Sequence, residues 1–104
     1  MKQSAAPSVH QIAKRLKSQL HAEQVWLFGS KARNDGDADS DTDLLAIIPS
    51  SNQSRYQRAV AARRILSEFR IPIDIIVMTQ AEWLRELKAP SSLASTVARE
   101  GIAI

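Results

Sequence analysis

Three short apolar runs, at residues 24–28 (QVWLF), 41–48 and 71–78 (IPIDIIVM), alternate with stretches whose apolar residues recur at helical spacing. Strands separated by helices imply a sheet with crossover connections. The predicted fold class is α/β (α+β): a small mixed three-stranded sheet, with strands near 24–28, 41–48 and 73–78, flanked by helices. Val9, Ile12, Ala13, Leu16 and Leu20 mark a first helix over 8–21, opened by a capping box of Ser8 and Gln11. A long basic helix is predicted over 52–70, with Arg55, Arg58, Arg64 and Arg70 mostly away from its apolar face. Thr79 and Glu82 form another capping box before a short helix that runs to Lys88. A last helix over 92–100 stops at Gly101, leaving 102–104 as a tail or an edge strand.

The chain has 104 residues, which predicts a single domain spanning 1–104 with no second substrate-binding domain. Hydrophobic residues make up 44% and charged residues 24%, proportions that argue against disorder. There is no cysteine, so disulfides, zinc–thiolate sites, iron–sulfur clusters and thiol nucleophiles are excluded. Any metal must be held by oxygen or imidazole. No apolar run is long enough to span a membrane, and the first seven residues lack the apolar core of a signal peptide, so a cytoplasmic location is the default expectation.

The modest net charge of +3 hides a segregation. Residues 35–43 hold Asp35, Asp37, Asp39, Asp41 and Asp43 with no Lys or Arg, a charge of −5, while the rest of the chain carries 14 basic against six acidic side chains. If a compact turn joins the first two strands, they are antiparallel, and Gly29 and Ser30 at the end of one meet Asp41 and Asp43 at the start of the next. A helical crossover then returns the third strand parallel to the second, bringing Asp74 to the same end. Residues i and i+2 of a strand share a face about 7 Å apart, and neighbouring strands lie about 4.8 Å apart. Asp41, Asp43 and Asp74 can therefore surround two divalent ions separated by about 4 Å. Oxygen ligands favour Mg²⁺, with Mn²⁺ as the alternative, and clustered carboxylates resist joint ionisation without a cation. Gly29 lets backbone approach a phosphate, Ser30 offers a hydroxyl and an N–H at the first turn of a short helix, and Lys31 and Arg33 add positive charge.

The run LFGSKARNDGDADSDTDLLAI followed by IDIIV resembles the polymerase-beta-type nucleotidyltransferase superfamily, specifically its minimal nucleotidyltransferases (MNT). Their pattern is Gly-Ser-x-Ala-Arg-Gly, a polar loop, Ser-Asp-x-Asp-Leu and a third Asp on a later strand; the Arg-Glu-Gly-Ile tail is also common among them. The resemblance implies the nucleotidyltransferase fold and Mg²⁺-dependent transfer of a nucleoside monophosphate from a triphosphate such as ATP. It implies that Gly29 and Ser30 hold the triphosphate, that Asp41 and Asp43 bind two Mg²⁺ ions, and that Asp74 completes the catalytic metal site and helps activate the acceptor hydroxyl. It also implies a HEPN-type toxin as partner, with this chain as the antitoxin that attaches AMP to a tyrosine of that toxin. Asn34 stands where the family usually has Gly, a substitution that a left-handed turn tolerates.

Blander readings compete at several positions. Asp35, Asp37 and Asp39 read as a solvated loop, and an EF-hand is excluded because neither its glycine nor its final glutamate is in place. Asp74, set among Ile73, Ile75, Ile76 and Val77, would be costly if buried alone; a metal or Arg70 would be its partner. Lys31 and Arg33 divide evenly between triphosphate contact and solvent. The helical arginines lack interleaved aromatics, which disfavours direct nucleic-acid binding. His10 and His21 read as surface residues, and Trp26 and Trp83 as core, with Trp83 also suited to a protein interface. Two further functions stay open: an antitoxin that neutralises its toxin by binding alone, and a small-molecule nucleotidyltransferase of the aminoglycoside-modifying kind. Homo-oligomerisation stays open too, with the apolar tail 102–104 as an interface.

Overall fold

The computed structural model describes residues 8–33 and 41–104. Five helices and four strands run in the order α1 (Val9–Gln19), β1 (Gln24–Phe28), α2 (Ser30–Arg33), β2 (Thr42–Ile48), α3 (Arg55–Ile65), β3 (Ile73–Thr79), α4 (Gln80–Leu87), α5 (Leu93–Glu100) and β4 (Ile102–Ala103). The sheet order is β3-β2-β1-β4. As the turn argument requires, β1 and β2 are antiparallel and β2 and β3 parallel.

The three-stranded sheet of the sequence reading is corrected to four strands. The tail 102–104 pairs antiparallel with β1, opposite Trp26 and Leu27, and Ile104 donates its N–H to the Val25 carbonyl at 2.9 Å. Gly101 permits this approach: a Cβ there would stand 2.6 Å from the Val97 carbonyl oxygen and 3.0 Å from that of Leu27. The tail is therefore largely engaged within the fold, and only Ile102 and Ala103 keep exposed side chains.

β2 is central, and its apolar run packs on both faces. Leu44, Ala46 and Ile48 meet Ile12 and Leu16 of α1 and Ala62 of α3, whereas Leu45 and Ile47 meet Trp83 of α4 and Ala94 and Val97 of α5. Trp26 and Trp83 stack within this second core, with ring centroids 5.8 Å apart, and Trp83 is too buried to present an interface. His10 and His21 are exposed. His21 adopts a left-handed φ of 63° just past the C-cap of α1, where the Ala22 N–H donates back to the Leu16 carbonyl and closes the helix.

The predicted long basic helix is shorter, and not all of its arginines are solvated. A capping box of Ser54 and Gln57, overlooked in the sequence, starts α3 at Arg55, and the chain leaves the helix through turns at Ser67 and Phe69. Arg58 is buried: it grips both Glu82 oxygens, at 2.8 and 3.1 Å, and donates to the backbone carbonyls of Val77 and Gln53. Arg55 reinforces the joint by pairing with Glu86. This forked pair clamps the start of α3 to the end of β3 and the start of α4.

Glu82 also accepts from the Thr79 N–H at 2.9 Å, and the Arg58 guanidinium is the main reason its carboxyl is held down to about 2. A glutamate pKa below its ordinary 4.5 contributes stability that is complete above pH 4.5 and is lost as the pH falls toward 2. We expect Glu82→Gln to cost about 2–3 kcal/mol at pH 7 and to remove most of the acid-induced loss of stability between pH 4.5 and 3. Urea titrations of both proteins at the two pH values would read this, and equal pH dependence would refute it.

Candidate active site

Both β1–β2 antiparallel pairing and β2–β3 parallel pairing converge on Asp43, whose register partners are Phe28 on one side and Asp74 on the other. Asp41 precedes it by two residues, and Gly29 follows Phe28. The structure thus gathers Gly29, Ser30, Asp41, Asp43 and Asp74 at one end of the sheet, where the sequence reading places them. Lys31 and Arg33 lie on α2 just behind Ser30. Asn34, Asp35, Asp37 and Asp39 lie outside the described residues.

Burial falls differently from the expectation. Asp74 is exposed at the entrance to β3 and, among the described residues, makes no ion pair with Arg70, so no buried partner is required. Asp43 is the half-buried carboxylate. Desolvation pushes its pKa above the ordinary 3.8, the charges of Asp74 and Asp41 push it further, and Arg33 pulls it back. Three carboxylates and one guanidinium therefore share a single field.

Gly29 has a second role that its place beside a helix start did not reveal. Its φ is +74°, and a Cβ built there would lie 2.2 Å from Asp43 Oδ2. The glycine leaves room for the Asp43 carboxylate as well as the backbone turn that starts α2, in which Ala32 and Arg33 donate to the Gly29 carbonyl at 3.1 and 3.2 Å. The only sequence signal for this is the glycine itself at the end of a strand that pairs with an aspartate strand.

The donor chemistry at this end fits a hard divalent cation: the oxygens come from carboxylates, and Asp43 is destabilised by neighbouring negative charge that a cation would neutralise. Among the described residues, no three acidic or imidazole side chains form a ready-made metal cluster. The trio is an open, mutually repelling arrangement along a sheet end.

This arrangement is compatible with nucleotidyl transfer, and comparison with known proteins shows the family. The nucleotidyltransferase domain family model matches residues 9–103, so the chain belongs to the nucleotidyltransferase domain family. Solved structures share the fold, three of them at TM-scores of 0.57 to 0.59. A candidate nucleotidyltransferase from Sulfolobus solfataricus is 23% identical, with 91% of this chain and 74% of that one covered and a TM-score of 0.59. A chain of a mutant toxin–antitoxin complex, MntA-HpeT, is 19% identical, with 94% and 72% covered and a TM-score of 0.57. A chain of a toxin–antitoxin complex with AMP-PNP is 18% identical, with 93% and 72% covered and a TM-score of 0.59. No curated protein sequence matches the chain significantly. Among the described residues, no helix is long and apolar enough to cross a membrane.

Proposed function

We propose that this chain is the antitoxin of a toxin pair and acts by transferring AMP from ATP to a hydroxyl, a tyrosine for preference, of a HEPN-type toxin. The observation that carries the reading is the alignment of Asp43 with Asp74 across β2 and β3, with Asp41 two residues away and the Gly29–Ser30 turn on the other flank. Membership of the nucleotidyltransferase family supports the reaction class. The two toxin–antitoxin neighbours, one with AMP-PNP, support the partner and the nucleotide.

In this reading Gly29 and Ser30 hold the triphosphate, and Lys31 and Arg33 offset its charge. Asp41 and Asp43, joined by Asp74, would hold two Mg²⁺ ions, which when bound stabilise charge on the entering and leaving oxygens. Asp74 orients the acceptor hydroxyl and draws off its proton. The hydroxyl oxygen bonds to the α-phosphorus, the α–β phosphoanhydride bond breaks, and pyrophosphate departs past Ser30. The protein's main contribution is positioning and electrostatics.

The test is an intact-mass spectrum of the copurified toxin after incubation with this chain, ATP and Mg²⁺. We expect the mass to rise by one AMP, and EDTA to prevent the rise. An unmodified toxin that is still neutralised by the Asp41→Asn/Asp43→Asn double variant would replace this reading with neutralisation by contact alone.

A further inference from the structure

The order of the sheet gives the reaction a direction. Gly29 and Ser30, at the end of β1, lie on one side of Asp43, and Asp74, on β3, lies on the other. Displacement at phosphorus is in line, so an acceptor must enter opposite the departing pyrophosphate. With pyrophosphate held at the Gly29–Ser30 turn, the acceptor must come from the β3 edge.

A groove of about 370 Å³ lies beside that edge, within the size range of ligand sites. Leu66, Phe69, Ile71 and Ile73 give it an apolar lining, and Arg63 and Arg70, both exposed, stand at its margin. Neither arginine has an acidic partner among the described residues, whereas Glu68, in the same turn, is engaged by Arg15. Pro72 and Ile73 connect the groove directly to Asp74. Ile73 packs into the core shared by α1 and α3, so the alternation of a strand turns Asp74 to the opposite face.

We propose that this groove is the acceptor-docking site: it takes a segment of the partner protein that carries an apolar side chain flanked by acidic residues, with the acceptor tyrosine about three residues away. The spacing follows from Ile73 and Asp74 being adjacent strand residues whose side chains point to opposite faces: passing from one tip to the other is on the order of 10 Å, about three extended residues. The apolar anchor fills the space between Leu66 and Ile73, and the acidic flanks pair with Arg63 and Arg70. The proposal rests on the nucleotidyltransferase reading above for the identity of the acceptor, but docking itself can be measured without turnover.

The probe is a pair of short fluorescein-labelled peptides, each with one leucine and, about three residues on, one tyrosine; the leucine is flanked by glutamates in one and by lysines in the other. Fluorescence anisotropy with the full chain should show the glutamate peptide binding at least about tenfold more tightly. Arg63→Glu/Arg70→Glu, at two exposed positions outside the carboxylate site, should reverse that preference in a protein that still unfolds cooperatively. Equal binding of the two peptides, no saturation by about 1 mM, or a preference that survives the charge reversal would each overturn the docking site. AMP incorporation into the tyrosine of the glutamate peptide, with ATP and Mg²⁺ added, is read separately. Binding without incorporation counts against the transfer reading and leaves the groove standing.

Discussion

Asp43→Asn will sharply reduce nucleotidyl transfer and at the same time make the metal-free protein more stable at neutral pH. The two effects have one origin. Asp43 is half-buried, and its pKa is raised first by desolvation and then by the charges of Asp74 and Asp41. In the unfolded chain the carboxyl releases its proton near the ordinary 3.8, whereas the folded chain holds it to higher pH. The native state therefore binds more protons across that interval, and its stability falls as the pH rises from 3.8 through the raised pKa. Asparagine keeps the shape and removes the charge. Scanning fluorimetry in EDTA should give the variant the higher midpoint at pH 7, with the gap closing below pH 3.8. Adding Mg²⁺ should raise the midpoint of the wild type and leave the variant almost unmoved. Transfer should fall by at least about 10²-fold, as when a principal electrostatic contact to the reacting group is lost. A variant less stable than the wild type in EDTA at pH 7 would contradict this account.

Part of this site was legible in the sequence and part was not. The convergence of Gly29, Asp43 and Asp74 follows from topology: once β1 and β2 pair antiparallel and the α3 crossover makes β3 parallel to β2, the end of β1 and the starts of β2 and β3 must coincide. These are constraints of chain direction, and a sequence carries them. Which carboxylate is desolvated depends on how far the neighbouring elements extend over the sheet end. Asp74 sits among isoleucines and looks buried in the sequence, yet β3 is an edge strand and its entrance is open, while Asp43 on the central strand is covered on both sides.

Charge on α3 shows the same limit. Arg58 looks like one more solvated arginine of a basic helix, because helical periodicity assigns faces only relative to an axis and does not say what lies across from each face. Its burial is decided by Glu82, 24 residues later, which the sequence marks only as half of a capping box. The tail is the complementary case: 102–104 is too short for a periodic signal, and its pairing with β1 depends on the missing side chain of Gly101, whose close approach to Leu27 is a tertiary contact.

Gly29→Ala is expected to damage activity far more than stability. At φ +74° an alanine costs about 1–2 kcal/mol, a fall of roughly 5–10 °C in midpoint for a domain of this size. Its Cβ would also fall 2.2 Å from Asp43 Oδ2, and the atom able to move is the end of the carboxylate side chain. Moving it relieves the clash cheaply for the fold. The same movement displaces an oxygen that we propose holds the metal, next to the turn that we propose holds the triphosphate, so transfer should fall by about 10²-fold or more, close to the loss in Asp43→Asn. The cause can be isolated in a double-mutant cycle on stability. In an Asp43→Ala background, where no carboxylate meets the new methyl group, Gly29→Ala should cost only the backbone strain, and any excess in the wild-type background measures the contact with Asp43. A Gly29→Ala protein that retains full transfer would show that Asp43 can hold its working position without the space this glycine leaves, and the coupling between the turn and the carboxylates would have to be abandoned.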